Sequence, residues 1–526
     1  MSLSPTGSGP DKRRVAGLEL TLTTNATSGS STQTELWLPH SSDWSGRTLG
    51  VGNGGFSGGV VYPALAYDGL ARGFATWSTD TGHKSGPLDG QWALGNDDAI
   101  VDFGWRAVHL SAVIAPLVTR SFYSVPFWRQ TFRYWLGCST GGAQGLKSVQ
   151  AFPDDFDGVV VGSPASWMTH LQPWAIRQSL AIQPVWQRWR GSPQAFWRLV
   201  HGEVMRQCDH LDGLTDGVLE NPRNCHFRPE ALACRPGKSE GCLTSEELGA
   251  LRTIYSDYTE TNDNQCVTTR RDRCCGTLTV ACAASSREAT TVASFHSIAV
   301  CWVPTPSRFL CSTTSTSFSS ALLPRCLWLG VTDKRNSDTE WDYRTMSMDI
   351  MHFSDSLDPG ALNAVDPNIT AFAKKGGKLV HYFGWGDQNI PGGDSIHYHS
   401  QAAQHLRQTT SDLSVDDMYR LFPVPGMAHC HGGEGASAFG AAGQTAEGMP
   451  PSCSASTHDI LLATVDWVEQ GKAPVDIVAT KWRENDAAKG VEFQRRLCMV
   501  RISRRLISTH ELTDGAVASA LCLQRR

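Results

Sequence analysis

The sequence predicts an α/β fold: a largely parallel sheet flanked by helices and interrupted by a long insertion. Three observations carry this reading. Short apolar runs alternate with segments of helical character at both ends of the chain. One such run, Phe132-Arg133-Tyr134-Trp135, passes through Leu136-Gly137-Cys138-Ser139-Thr140-Gly141-Gly142 into a helical stretch at Gln144-Gly145-Leu146-Lys147. Its glycines leave room for a sharp turn between strand and helix. Finally, 526 residues are more than one core usually serves, so a second unit is expected within the first.

Residues 1–17 are polar and read as loose. From Leu18 the chain alternates as strands do, in Leu18-Glu19-Leu20-Thr21-Leu22-Thr23 and again in Thr34-Glu35-Leu36-Trp37-Leu38-Pro39. Thr48-Leu49-Gly50-Val51 is a short strand that runs into Gly52-Asn53-Gly54-Gly55-Phe56. Gly73 to Ser78 is another. Asp102 to Phe122 reads as a helix with Trp105, Val108, Val113 and Leu117 on one face. Gly158-Val159-Val160-Val161-Gly162 is a buried strand, which brings the first part of the catalytic domain to about residue 165.

The texture then changes, and 166–345 is read as the inserted unit, a lid. Residues 166–206 are Trp-rich and helical. Residues 262–335 hold Cys266, Cys274, Cys275, Cys282, Cys301, Cys311 and Cys326 among Ser, Thr and Arg, with no sustained period. That stretch reads as an artefact of gene prediction such as a retained intron, or else as a genuine Cys-rich insertion. Order returns at Trp341, and 346–526 forms the second part of the catalytic domain. Ala371 to Gly377 ends a helix on a glycine cap. Strands follow at Lys378-Leu379-Val380-His381-Tyr382-Phe383 and Tyr419 to Val424, and His458 to Gln470 is a closing helix. Beyond about Arg495 the tail is basic and poorly patterned.

Hydrophobic residues make up 40% and charged residues 18%, which places the chain among globular proteins. The net charge of −5 gives no basic face for nucleic acid, and no apolar run reaches the roughly 18 residues of a membrane span. Sixteen cysteines point to an oxidising compartment if they pair. The sequons at Asn25 and Asn368 are compatible with secretion. The first fourteen residues contain no apolar signal core.

The junction at Ser139 has the Gly-x-Ser-x-Gly form of a nucleophile elbow. A serine hydroxyl needs a base to take its proton, and the α/β-hydrolase chain order is serine, acid, histidine. Asp387, in the strand exit Gly384-Trp385-Gly386-Asp387, and His429, in the loop after the next strand, obey that order. His431, His381, His397 and His399 compete for the base, and Asp394 competes for the acid. The glycine-rich turn at 52–55 can be a phosphate loop, but the dinucleotide spacing is absent. Placed upstream of an elbow, it reads as the second half of an oxyanion hole, with Gly54 or Gly55 joining the Thr140 N–H.

Cys138 precedes Ser139 and Cys430 follows His429. A triad that forms draws the two cysteines together, either as a disulfide or as two buried thiols. Another loop, Cys208-Asp209-His210-Leu211-Asp212-Gly213-Leu214-Thr215-Asp216-Gly217-Val218, alternates carboxylates with glycines. It is either a hard-cation site, with carbonyls of Leu214 and Val218 beside Asp209, Asp212 and Asp216, or an Asp-Gly-rich surface turn. Cys208 with Cys225, and Cys234 with Cys242, could clamp its flanks.

On these residues the chain resembles the tannase and feruloyl esterase family. The resemblance rests on Gly137 to Gly142, Gly384-Trp385-Gly386-Asp387, His429-Cys430, the Cys208 to Val218 loop and Val51 to Phe56. It covers roughly 18–260 and 341–498. It implies an α/β-hydrolase domain with an inserted lid, a structural Ca²⁺ in the lid and a Cys138–Cys430 bridge. It also implies secretion and hydrolysis of esters of hydroxylated aromatic acids, from plant cell walls or polyphenols; charge and hydropathy, as above, give no nucleic-acid or membrane partner. The alternatives are an inactive polyphenol- or carbohydrate-binding homologue and a serine peptidase on the same fold.

Overall fold

A computed structural model describes residues 2–3, 14–188, 193–237, 240–256, 260–262, 265–267, 344, 346–410, 413–502 and 517–518. The expectations for 268–335, for most of residues 1–17 and for the end of the tail lie outside them. The centre is a nine-stranded sheet. Its strands are β1 (Ser2–Leu3), β2 (Arg14–Asn25), β3 (Ser30–Pro39), β4 (Arg47–Val51), β5 (Ala75–Thr79), β6 (Phe132–Cys138), β7 (Gly158–Gly162), β8 (Lys378–Gly384) and β9 (Tyr419–Val424). The spatial order is β1-β2-β3-β5-β4-β6-β7-β8-β9. The first three pairings are antiparallel, and every pairing from β5 to β9 is parallel. The parallel strands therefore all end at one edge, where ligand sites of open α/β sheets form.

Strand alternation divides the core. Trp135, Val159 and Val161 face one side, under helices α1 (Asp97–Phe122), α2 (Thr140–Ala151) and α8 (Gly392–Thr409). Tyr134, Leu136 and Val160 face the other, under α9 (Ile460–Gln470) and the antiparallel pair β10 (Asp476–Trp482) and β11 (Val491–Cys498). The inserted region builds a core of its own. Ile182, Phe196, Val200, Val204, Leu243, Leu248 and Leu251 pack together from α3 (Met168–Arg188), α4 (Pro193–Cys208) and α5 (Ser245–Tyr255). Among the described residues, the remaining α-helices are α6 (Met348–Leu357) and the single turn α7 (Thr370–Lys374), which leads into β8.

Three expectations change. The second strand begins at Arg14, not Leu18, because Arg14 to Gly17 pair with Pro39 to Trp37. On α1, Val113 and Leu117 are exposed. Its buried face is Ala107, Val108, Ser111, Ala112 and Ala115, since small side chains let the helix lie close to the sheet. Ser111 is accommodated there by bonding Thr34 Oγ1 at 2.7 Å. By length and composition Asp97–Phe122 could cross a membrane, but here it packs on β2–β5 and shields the sheet. The tail up to Cys498 is ordered as β11, and Arg495 within it is buried.

Candidate active site

Ser139 occupies the turn between β6 and α2 with φ 62° and ψ −121°, a conformation that side-chain-bearing residues rarely adopt. The surroundings hold it there. Ser139 N–H donates to Gly162 O at 2.9 Å, and its carbonyl accepts from Ala143 and Ala165 N–H, each at 3.0 Å. The glycines serve close approach: a Cβ on Gly52 would lie 2.4 Å from Gly141 Cα. The end of β4 can therefore cross the start of α2 backbone to backbone.

Asp387 follows β8 and is fully buried. One carboxylate oxygen accepts from Asn389 and Ile390 N–H, at 2.8 and 2.9 Å. The other lies 2.8 Å from His429 Nδ1. An ionised carboxylate only accepts, so Nδ1 carries the proton and Nε2 is left with its lone pair. The neighbouring cysteines are bonded: Cys138 and Cys430 form a disulfide with Cα atoms 6.0 Å apart, spanning 292 positions of sequence. Nucleophile turn and histidine loop are thus covalently tied one residue from each functional side chain. Cys430 has φ 66°.

Of the competing residues, His381 and Asp394 are engaged elsewhere. His381 lies between Tyr419 Oη and Ser395 Oγ, at 2.7 and 2.9 Å. Burial pushes its pKa down to about 3, and that of His399 to about 4. Burial also lowers the pKa of His431. Asp394 accepts from Ser166 Oγ at 2.6 Å.

The glycine turn and the start of α2 meet through direct hydrogen bonds. Gly141 N–H donates to Asn53 O at 2.8 Å, so it is already committed. Thr140 N–H, first in the helix, has no carbonyl one turn back. Thr140 Oγ1 donates to Gly55 O at 2.7 Å, which turns the Gly55 carbonyl toward α2. Asn53 and Gln144 exchange amide bonds: Asn53 N–H to Gln144 Oε1 at 3.1 Å, and Gln144 Nε2 to Asn53 Oδ1 at 3.2 Å. Sequence reasoning gave neither side chain a role. The available signal was a carboxamide on each side of a glycine-rich crossing.

The Cys208 to Val218 loop is less concentrated. Cys208–Cys225 and Cys234–Cys242 are both bridged. Asp209 accepts from Gly217 N–H, Asp212 from Leu214 and Glu220 N–H, and Asp216 from Val218 N–H. Asp216 also meets the Arg495 guanidinium at 2.6 Å, and Glu220 lies 3.6 Å from it. Among the described residues, no three acidic, histidine or cysteine side chains are gathered as metal ligands. The side-chain donors of Asp209, Asp212, Asp216 and Glu220 are all oxygens, the type a hard cation takes, and Arg495 faces two of them, Asp216 and Glu220.

An open α/β sheet bearing a serine elbow, a buried aspartate–histidine pair and a facing glycine turn is an α/β-hydrolase. The sequence pattern of the family described as tannase and feruloyl esterase matches residues 19–501. This chain belongs to that family, and so to the carboxylic ester hydrolases. It is 32% identical over 478 residues to a probable feruloyl esterase B-2 of Aspergillus flavus, covering 89% of this chain and 81% of that one. Among solved structures it resembles feruloyl esterase B from Aspergillus oryzae, at 31% identity and a TM-score of 0.72, over 92% of this chain and 86% of that one. It shares its fold with the tannin acyl hydrolase of Aspergillus niger, at 20% identity and a TM-score of 0.64, over 95% and 86% of the two chains.

Proposed function

We propose that the protein hydrolyses esters of hydroxylated aromatic acids, feruloyl or galloyl, through an acyl-enzyme on Ser139. The observation that carries this is the Asp387–His429 pair tethered to the serine turn through Cys138–Cys430. His429 Nε2 takes the proton as Ser139 Oγ attacks the ester carbonyl carbon. Asp387 holds the Nδ1–H tautomer and stabilises the imidazolium. The carbonyl oxygen becomes an oxyanion received by Thr140 N–H and by the N–H of Gly54 or Gly55. The alcohol departs with the proton from His429. Water then attacks the acyl-serine by the same route, releasing the acid and restoring Ser139.

Ser139→Ala is expected to abolish turnover of methyl ferulate and methyl gallate and to prevent labelling by a fluorophosphonate probe. Turnover retained by the alanine variant overturns the assignment. Comparing ester with amide substrates separates the esterase from a peptidase on the same scaffold.

Two finer readings accompany it. The bridged cysteines favour an oxidising, extracellular setting. The acidic surplus at Asp209, Asp212, Asp216 and Glu220 favours a structural Ca²⁺, with carbonyls of Leu214 and Val218 completing the oxygen set. That ion would brace the lid and takes no part in the proton transfers at Ser139 and His429.

A further inference from the structure

Gln444 lies outside the triad and the oxyanion turn, yet its side chain reaches the residue that follows the base. It is fully buried. Its Oε1 accepts from Phe439 N–H at 2.9 Å and from Ala441 N–H at 3.1 Å. Two donors fix that atom as the oxygen, so the other is the amide nitrogen. Nε2 donates to the Cys430 carbonyl at 3.2 Å. Cys430 is in the left-handed region at φ 66° and carries the disulfide. An ordinary side chain in that region favours relaxation toward negative φ, which would swing the peptide linking it to His429. The turn that presents Gln444 is itself anchored, because Gly443 N–H donates to Asp68 Oδ2 at 2.9 Å.

We propose that Gln444 is a positioning residue for the general base: its carboxamide clamps the Cys430 carbonyl and thereby sets the His429 ring against Asp387 and Ser139. The role of His429 as base rests on the function proposed above; the clamp itself rests on the bonds around Gln444. Asp387 fixes one ring nitrogen and the disulfide fixes the neighbouring side chain, but neither holds the backbone between them. A side chain satisfied by three backbone groups, two on its own turn and one on the base loop, supplies that hold.

Two variants test the clamp. Gln444→Leu keeps volume and removes the carboxamide. It is expected to lower kcat roughly ten- to a hundredfold with KM little changed, since small misplacements of a catalytic group act on the chemical step. Gln444→Glu reproduces the clamp only when its carboxyl is protonated and can donate to Cys430 O. Its activity relative to the wild type is therefore expected to rise as pH falls. The charged and titratable groups around this turn are Asp68, Arg72, Asp459 and Tyr382 on one side and His429, His431 and Glu447 on the other. They are common to both proteins, so the ratio isolates the new carboxyl.

A third readout needs no turnover: the low-field proton NMR signal of His429 Nδ1–H bonded to Asp387. It is expected to be sharp in the wild type and shifted or broadened beyond detection in Gln444→Leu. If that signal is unchanged in Gln444→Leu, or if kcat is unchanged, the clamp is wrong. A flat pH ratio for Gln444→Glu also overturns it. A wild type with no Ser139-dependent turnover or labelling overturns the esterase reading instead, and the NMR comparison still decides the clamp.

Discussion

Asp387 and Asp216 both lie in loops and both bind a nitrogen partner, His429 in one case and Arg495 in the other. Around Asp387 solvent is absent, two backbone N–H groups fix one oxygen, and the second oxygen is left for a single imidazole. Asp216 is about a third exposed and divides itself between a backbone N–H and a guanidinium that also faces Glu220. The first arrangement can impose a tautomer and a ring orientation. The second shares a buried guanidinium between two carboxylates and fixes no single partner. What separates a functional carboxylate from a structural one here is how completely its oxygens are committed before the partner arrives.

The largest expected effect tests that commitment directly. Asp387→Asn keeps size and burial but can present its amide to Nδ1, which favours the wrong tautomer. A loss in kcat on the order of 10⁴ is expected, with KM little changed. Stopped-assay rates on methyl ferulate measure it, and a loss below tenfold would remove Asp387 from the triad.

The covalent tether comes next. Replacing Cys138 and Cys430 together by serine releases a very long loop, and the chain-entropy picture assigns roughly 4–5 kcal/mol to such a closure. A fall in the denaturation midpoint together with a fall in kcat is expected. Unchanged kcat with reduced stability would make the bridge a staple alone. The same experiment bears on compartment, because reducing conditions should imitate the double variant in the wild type.

The Cys208 to Val218 loop is expected to respond more weakly. If Ca²⁺ is bound there, chelation should lower Tm by a few degrees and added Ca²⁺ should restore it, in line with ligand-linked stability. Well below Tm, turnover should change little, since the loop supplies none of the three groups proposed for catalysis. Identical Tm values with chelator and with added Ca²⁺ would leave the loop as an Asp-Gly-rich turn held by Arg495.

The same contrast explains what the sequence could be made to yield. The parallel strands were legible because Val159, Val160 and Val161 form a continuous apolar run and both sheet faces are covered. The Asp387–His429 pair was legible because chain order and strand-exit turns constrain acid and histidine together. The α1 face was misread because its contact is built from alanines and Ser111, which hydropathy does not mark, while Val113 and Leu117 lie outward. Arg495 was lost in a basic tail because its carboxylate partner lies 279 positions away. Asn53, Gln144 and Gln444 left no pattern at all: a buried carboxamide looks like a surface one until the fold closes around it.

Asp68 completes the comparison as a carboxylate that is buried like Asp387 yet incompletely satisfied. Its Oδ2 accepts from Gly443 N–H, but Oδ1 has no hydrogen-bond partner. Burial pushes its pKa up to about 6, against the opposing pull of Arg72. The unfolded chain holds such a group near 3.8, so the folded state binds the proton more tightly. The contribution of Asp68 is therefore most favourable at low pH and falls as pH rises from about 4 to about 6, levelling off above that. Asp68→Asn keeps an acceptor for Gly443 and removes the titration. The stability of the variant relative to the wild type should rise across that window and be flat on either side of it. Denaturant midpoints at several pH values measure it. A difference independent of pH would mean that Arg72 satisfies Asp68 as fully as the two backbone amides and His429 satisfy Asp387.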